Sequence, residues 1–367
     1  MRLALVAARR ASGRSFPNPP VGAVVFRADR VLGKGWTRPA GGPHAEIVAL
    51  RAAERRFGAR ALRGASLAVT LEPCAHVGRT GPCCEAVLAA GIRRVLVGHV
   101  DPNPEVAGRG IQRLRAAGVT VQTGVLEASC REQHRGFLCV LAQGRPYVSL
   151  KLAATLDGRI ATASGESRWI TGASARALVH RLRARADAIV IGSGTALADD
   201  PELTARAGSR VLHRPLRVVI DSRLRLPVDA RCLRAGPKGK TLVVGARGAS
   251  AARCRALEAA GARVLLAPAR GDHVAPRAAA KLLAAAGLTD VLLEGGGTLA
   301  AAWLRAGLVD ELHWFVSAKL LGGDARPALG ALAISRLSGA LALREPAIRR
   351  IGDDVYLRGR LRGKEER

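Results

Sequence analysis

Aromatic side chains supply only 3% of this 367-residue chain, and methionine occurs once. The apolar 49% is therefore mostly Ala, Leu and Val, which gives aliphatic cores and leaves each of the four tryptophans in need of its own explanation. No stretch approaches the roughly 20 uncharged apolar residues a membrane span requires, and the apolar run in residues 1–10 is too short for a signal peptide. Acidic residues are scarce too: 29 against 58 Lys and Arg, for a formal net charge of +29 and a pI near 11.5. That excess in isolation suggests a nucleic-acid or anionic partner, but there is no basic block or arm of the kind that marks a polyanion tail. The arginines run along the whole chain beside heavy Ala and Gly use, as a biased coding composition produces. Seven cysteines, an odd number with Cys83 and Cys84 adjacent, fit a disulfide framework poorly. A reducing cytoplasm is the simpler setting.

The length predicts two domains rather than one core. In the first half the hydrophobic periodicity predicts helices over 3–10, 44–57, 83–90 and 110–117, with strands over 21–26, 66–71, 94–99 and 119–125. That alternation predicts an α/β fold with a mostly parallel, helix-covered sheet. The stretch A-Q-G-R-P-Y at 142–147 carries Gly and Pro ahead of a new run of strands, which places the boundary between domains 1–144 and 145–367. In the second half strands are expected at 147–153, 188–191, 216–220, 241–244, 264–266 and 290–294, with a strand-rich tail that includes 312–316 and 354–360.

The stretch P-H-A-E at 43–46 and the two cysteines Cys74 and Cys83 carry the chemistry. His44, Cys74 and Cys83 are the right ligand types for zinc, and three protein ligands leave a fourth position for water, as in a catalytic rather than a structural site. Pro43 and Pro82 place His44 and Cys83 at helix starts, where the partial positive charge is expected to lower the Cys83 thiol pKa. Glu46 then has a task, taking a proton from the attacking water and passing it to leaving ammonia. This is nucleobase deamination chemistry, whose usual cysteine spacing is P-C-x-x-C; here Cys83 comes nine residues after Cys74. A His-Ala-Glu or a cysteine taken singly is more often a solvated turn or a packing residue, but the joined set with its prolines favours the metal. Cys84 points about 100° away around the helix and is expected to pack. Cys130, Cys139, Cys232 and Cys254 show no ligand pattern.

The motifs P-N-P-P-V-G-A-V at 17–24, P-H-A-E at 43–46, L-E-P-C-A-H-V-G-R-T-G-P-C at 71–83 and D-P-N-P-E-V-A-G-R-G at 101–110 resemble the deaminase half of the bifunctional riboflavin biosynthesis deaminase-reductases. The match continues with S-L-K-L-A-A-T-L-D-G-R at 149–159, S-G-E-S-R-W-I-T-G at 164–172, A-L-A-D-D-P-E-L-T at 196–204 and V-L-L-E-G-G-G-T-L at 291–299. The resemblance covers essentially the whole chain, in order. It implies a cytidine-deaminase-like three-layer αβα domain followed by a dihydrofolate-reductase-like α/β domain, in a cytoplasmic homo-oligomer, dimer or tetramer, with no nucleic-acid or membrane partner. It also implies one zinc per chain and NADPH, acting in turn on a small phosphorylated pyrimidine.

Carried over residue by residue, the resemblance makes His44, Cys74 and Cys83 the metal ligands and Glu46 the proton shuttle. Deaminase substrate contacts are Asn18, His76, Arg79, Asp101 and Asn103, with Arg79 suited to a phosphate. Reductase substrate contacts are Lys151, Ser167, Arg183, Leu203, Arg206 and Glu294. Cofactor contacts are Ala153, Trp169, Thr195, Asp199, Ser222, Gly296, Gly297, Thr298, Leu299, Ala300, Ala301 and Ala302. The residues agree at E-G-G-G-T-L, where bare backbone N–H groups and a helix start suit a pyrophosphate, although this is not the G-x-G-x-x-G fingerprint. Lys151 also stands out as a lysine inside an apolar strand. Three features depart from the family: Thr37 stands where members carry a substrate-contacting His, Val48 replaces a second His after H-A-E, and the chain begins abruptly within its first helix. Two other readings remain: a base deaminase acting on RNA, which the charge favours and the long cysteine spacer opposes, and a degenerate binding module, which the complete ligand set opposes.

Overall fold

A computed structural model describes residues 1–75, 81–104, 106–237 and 239–361. The chain forms two compact units, Met1–Arg145 and Pro146–Arg367.

In the first unit a five-stranded sheet runs in the order β2-β1-β3-β4-β5, formed by Gly22–Arg27 (β1), Arg30–Trp36 (β2), Ser66–Val69 (β3), Arg94–Val97 (β4) and Thr120–Gln122 (β5). It is mixed rather than mostly parallel. β1 pairs antiparallel with both β2 and β3, and only β3–β4 and β4–β5 are parallel. The sequence reading missed β2 because Gly33, Lys34 and Gly35 look unlike a strand. The glycines are there for the helix Ala45–Phe57 (α2): a Cβ at Gly33 would stand 2.3 Å from the Ala49 carbonyl oxygen, and one at Gly35 would stand 2.1 Å from that of Ala45.

The two faces of the sheet are covered by different helices. Gly35 pairs with Ala23, so α2 lies on the Ala23 face, where Leu50, Leu67, Val87 of the helix Cys83–Ala89 (α3) and Leu114 of the helix Arg109–Ala116 (α4) share one apolar core. Gly22 points the other way, and a Cβ there would meet the Ala4 oxygen of the helix Arg2–Ala8 (α1) at 2.0 Å. That is the three-layer arrangement.

On the α1 face a buried hydrogen-bonded line runs from Thr70 through His134 to His99. Thr70 Oγ1 lies 3.2 Å from His134 Nε2, His134 Nδ1 lies 2.8 Å from His99 Nε2, and His99 Nδ1 lies 2.8 Å from the Val100 carbonyl oxygen. Both imidazoles are almost fully enclosed. Burial lowers the pKa of each below its ordinary 6.5, that of His134 to about 3. The folded unit thus resists protonation that the unfolded chain accepts. Stability is complete above pH 6.5 and falls as pH drops towards 3, by about 1.4 kcal/mol per pH unit for His134. The thermal midpoint of the first unit is expected to fall by about 5–10 °C between pH 7 and pH 5, and His134→Asn is expected to flatten that profile. A pH-independent wild-type midpoint in scanning calorimetry contradicts the assignment.

The second unit is built on a nine-stranded sheet. Strands 263–267, 241–246, 216–220, 188–192, 290–293, 147–155 and 311–317 run parallel in that order, and 354–361 then 343–351 close one edge antiparallel. The edge strand Leu343–Ile351 carries Pro346 and four charged residues, a composition that hides a strand from sequence reading and that edges tolerate. Ligands of parallel sheets gather at the carboxyl ends of the strands. Here those ends deliver Gly192, Ser222 and the Glu294–Gly297 turn. No helix among the described residues is long and apolar enough to cross a membrane.

Candidate metal centre and reductase site

His44 is the N-cap of α2 and Cys83 the first residue of α3, while Cys74 lies in the loop that leaves β3. The ligand atoms of His44, Cys74 and Cys83 all lie within 4.8 Å of one another. His44 Nδ1 is 3.2 Å from Cys83 Sγ and 3.7 Å from Cys74 Sγ. Zn–N and Zn–S bonds of about 2.0 and 2.3 Å place tetrahedral ligands roughly 3.5 to 3.8 Å apart, so the nitrogen and two sulfurs fit a zinc ion with one corner left open. Among the described residues this is the one group of three His, Cys, Asp or Glu arranged for a metal.

The thiols differ from expectation. Cys74 is held well below the ordinary range by the Cys83 side chain and N–H, which sits 3.4 Å from its sulfur. Cys83 is pushed upward by the Cys74 sulfur and by burial. The start of the seven-residue α3 does not by itself lower the Cys83 thiol, and a bound dication would supply the charge that favours both thiolates. Glu46, in the first turn of α2, is 4% exposed, and burial raises its pKa to about 7.

Asp101 and Asn103 follow β4, and Asp101 Oδ1 accepts the Asn103 N–H at 2.9 Å. Asn18 lies half-buried between α1 and β1, directly after the cis peptide bond Phe16–Pro17, and its carbonyl accepts the Ser15 hydroxyl at 3.0 Å. His76 and Arg79 lie outside the described residues. Thr37 is buried, its hydroxyl bonded to the Val21 backbone N–H at 3.0 Å, so it braces β2 instead of reaching outward. Val48 sits one turn along α2 from His44 and is half-buried. Glu72, inside L-E-P-C, escaped the sequence reading; its enclosed carboxylate accepts four backbone N–H groups.

In the second unit Arg183, the last residue of the helix Ala173–Arg183, forms a two-pronged ion pair with Glu294, at 2.6 Å from Nε and 2.8 Å from the terminal nitrogen. Arg183 also donates to the Thr204 carbonyl at 3.2 Å. Burial pushes the Glu294 carboxyl up, but the Arg183 guanidinium more than offsets this and holds it below the carboxylate range. Lys151 comes beside Glu294 through the pairing of Leu293 with Leu150. Burial lowers its pKa, with Glu294 and Asp199 opposing and Arg183 reinforcing. Leu203 is buried with φ +52, backbone strain of the kind that collects at ligand sites. Arg206 is held by Glu202 and by Thr204 Oγ1, and its N–H donates to His180 Nδ1 at 3.2 Å. Glu202 and Thr204 lie inside the 196–204 motif but were given no role there, and His180 had no signal in the sequence pattern.

The cofactor expectations divide. Thr195 Oγ1 accepts the Gly296 N–H at 3.1 Å, tying the glycine turn to the helix Ser193–Asp199. A Cβ at Gly297 would come within 3.0 Å of the Pro327 and Ala328 backbone oxygens. Gly297, Thr298 and Leu299 are the first residues of the helix Gly297–Arg305, where N–H groups lack an intrahelical partner. Ala300 and Ala301 turn into the core, and the Ala300 N–H bonds the Gly296 carbonyl; Ala302 is half-buried. Trp169 is 63% exposed, stacks on Arg176 at 4.5 Å and accepts from Lys319 Nζ through its carbonyl at 2.8 Å. The hydroxyl of Ser222 accepts the Val274 N–H at 2.9 Å. Ala153 and Ser167 are half-buried, and the Asp199 carbonyl accepts from Arg168 at 3.0 Å.

Comparison with known proteins covers both units. The family model of the RibD C-terminal domain matches residues 146–357, and that of the cytidine and deoxycytidylate deaminase zinc-binding region matches residues 1–99. The riboflavin biosynthesis protein RibD of Escherichia coli K12 is 40% identical over 368 residues, covering 97% of each chain, and that of Synechocystis is 41% identical over 367 residues, covering 100% of this chain and 96% of the relative. Among solved structures, RibD of Acinetobacter baumannii aligns with TM-score 0.85 at 36% identity, covering 98% of this chain and 97% of that one. A diaminohydroxyphosphoribosylaminopyrimidine deaminase/5-amino-6-(5-phosphoribosylamino)uracil reductase of Thermotoga maritima aligns with TM-score 0.82 at 31% identity, covering 99% and 97%.

Proposed function

The chain belongs to the RibD family of bifunctional riboflavin biosynthesis deaminase-reductases, and we propose that residues 1–144 carry the deaminase and 145–367 the reductase. The first reaction hydrolyses the 2-amino group of 2,5-diamino-6-(5-phosphoribosylamino)pyrimidin-4-one. The C2–N bond breaks, a C2–O bond forms from water, and ammonia leaves. The second reduces the ribosyl group of the resulting 5-amino-6-(5-phosphoribosylamino)uracil to the open ribityl chain.

His44 Nδ1, Cys74 Sγ and Cys83 Sγ would hold the zinc, one per chain. A zinc ion held there would supply Lewis acidity and lower the pKa of water to about 7. Glu46 is placed to take a proton from the attacking water on a carboxylate oxygen and return it to the departing nitrogen; a pKa raised to about 7 by burial would let it do both near neutrality. Asn18, Asp101 and Asn103, with His76 and Arg79, orient the pyrimidine and its phosphate.

NADPH supplies the hydride of the second step. Gly297, Thr298 and Leu299 present backbone N–H groups suited to its pyrophosphate, with Gly296 fixed by Thr195. Lys151 offers the substrate a poorly solvated cationic donor, and the Arg183–Glu294 pair fixes the wall beside it. The odd cysteine count, with Cys83 and Cys84 adjacent, suits a reducing, cytoplasmic setting. Family membership leads to the expectation of a homo-oligomer, dimer or tetramer, to be counted by sedimentation equilibrium.

The observation that carries the reading is the nitrogen and two sulfurs gathered within 4.8 Å beside the buried Glu46. Its test is product analysis of the purified chain with substrate, with and without NADPH. Ammonia and the uracil are expected in both cases and the ribityl product only with NADPH. Stripping the metal with a chelator is expected to stop ammonia release and leave reduction of supplied uracil intermediate unchanged. A zinc-replete chain that releases no ammonia overturns the deaminase assignment.

A further inference from the structure

We propose that Glu72 is a positioning residue of the deaminase, the group that seats the substrate-contacting residues 101–104 and the start of α4 at 108–111 on the loop leading to Cys74. The proposal rests on the reading of Asp101 and Asn103 as substrate contacts. Glu72 lies two residues before Cys74 and is 4% exposed. One carboxylate oxygen accepts the N–H groups of Asp101 at 3.1 Å and Gly108 at 2.9 Å, and the other those of Gly110 at 3.0 Å and Ile111 at 3.2 Å. Gly108 is the N-cap of α4, and Gly110 and Ile111 belong to its first turn. The carboxylate therefore satisfies N–H groups that a helix start leaves without partners, with the sign of charge that end favours.

The same two segments touch a second time. A Cβ at Gly110 would stand 1.9 Å from the Pro73 carbonyl oxygen, so only glycine permits this approach. Cys84 Sγ donates to the carbonyls of both Pro73 and Gly110, at 3.4 and 3.5 Å. The Glu72 N–H in turn donates to the His99 carbonyl at 3.1 Å, two residues ahead of Asp101. Asp101 and Asn103 thus hang between two anchors, His99 and Gly108, that both close on Glu72. An enclosed carboxylate is tolerated when its lone pairs are filled by N–H donors. A glutamine in its place keeps the shape but turns an NH2 group against two of the four donors. The segment then loosens on one side, and the bound pyrimidine loses its alignment with the metal's open corner.

The test uses the full-length, zinc-loaded chain as wild type, Glu72→Gln, Glu72→Asp, Asn103→Ala and the Glu72→Gln/Asn103→Ala double variant. Deamination kinetics, zinc per chain and NADPH-dependent reduction of supplied uracil intermediate are measured on the same preparations. Glu72→Gln is expected to raise the deaminase KM about tenfold or more with kcat within about threefold, because small misplacements of binding groups have large kinetic effects. Zinc content and reduction stay at wild-type values, Glu72→Asp recovers part of the loss, and the double variant raises KM by much less than the product of the two singles. An unchanged KM, or a loss of zinc that accounts for the lost activity, overturns the proposal. If Glu72→Gln does not fold its first unit, Glu72→Asp carries the test, and a wild-type KM in that variant is the contrary result. A wild-type chain that releases no ammonia, or an Asn103→Ala variant with unaltered KM, strikes instead at the functional reading on which the proposal stands.

Discussion

Replacing Glu46 by Gln slows ammonia release by roughly a hundredfold to ten-thousandfold, while NADPH oxidation on supplied uracil intermediate continues at the wild-type rate. Glutamine matches the size of glutamate and fits the same enclosed place in the first turn of α2. It is unable to take up and return a proton near neutrality, which is the capacity that burial confers on Glu46 by raising its pKa to about 7. Glu46 is not among the three gathered ligands, so zinc per chain stays unchanged. Parallel assays of ammonia and of absorbance at the reduced nicotinamide band check this directly. Loss of both activities in a folded chain contradicts the proposed division between the two units.

Arg183→Leu is expected to destabilise the second unit by about 3–5 kcal/mol, because it strands the Glu294 carboxylate without its counter-charge. Only 9% of that side chain is exposed, so water does little to replace the guanidinium. Glu294→Gln is expected to cost less, since the guanidinium it strands keeps 19% exposure and the amide oxygen still accepts one of its two bonds. It still raises the reductase KM, because Lys151 loses its neighbouring anion and Arg183 loses the second prong of its bond. Chemical denaturation followed by reduction kinetics separates the two effects. Equal midpoints for wild type and Arg183→Leu show that the pair does not support the fold.

The metal centre was legible because its residues are rare and patterned. A histidine and two cysteines, two of the three behind a proline at a helix start, have few structural uses in common. Arg183 is the opposite case. Among 58 basic residues nothing local marks it, and only the motif context singled it out before its bond to Glu294 gave a physical reason. The first sheet was misjudged because β2 carries two glycines whose purpose is the approach of α2, a contact across the chain that no window of sequence contains. Glu72 was read as part of a motif but given no role, since its four donors come from residues 29 to 39 positions away. The His99–His134 line was invisible for the same reason: its members are 35 positions apart and meet only once the sheet has formed. Leu203 shows a different limit, since its positive φ is imposed by its surroundings and leucine gives no hint of it.

The bare strand positions Gly33 and Gly35 bring the main chain of α2 almost into touch with the sheet, carbonyl against Cα. His44 and Glu46 both ride on the front of that helix, so their separation from the sheet is a matter of backbone thickness and not of adjustable side chains. A methyl group at either glycine would lift the helix like a wedge and carry the imidazole and the carboxylate away from the two sulfurs together, which makes a pair of residues with no functional groups the gauge that sets the height of the catalytic floor.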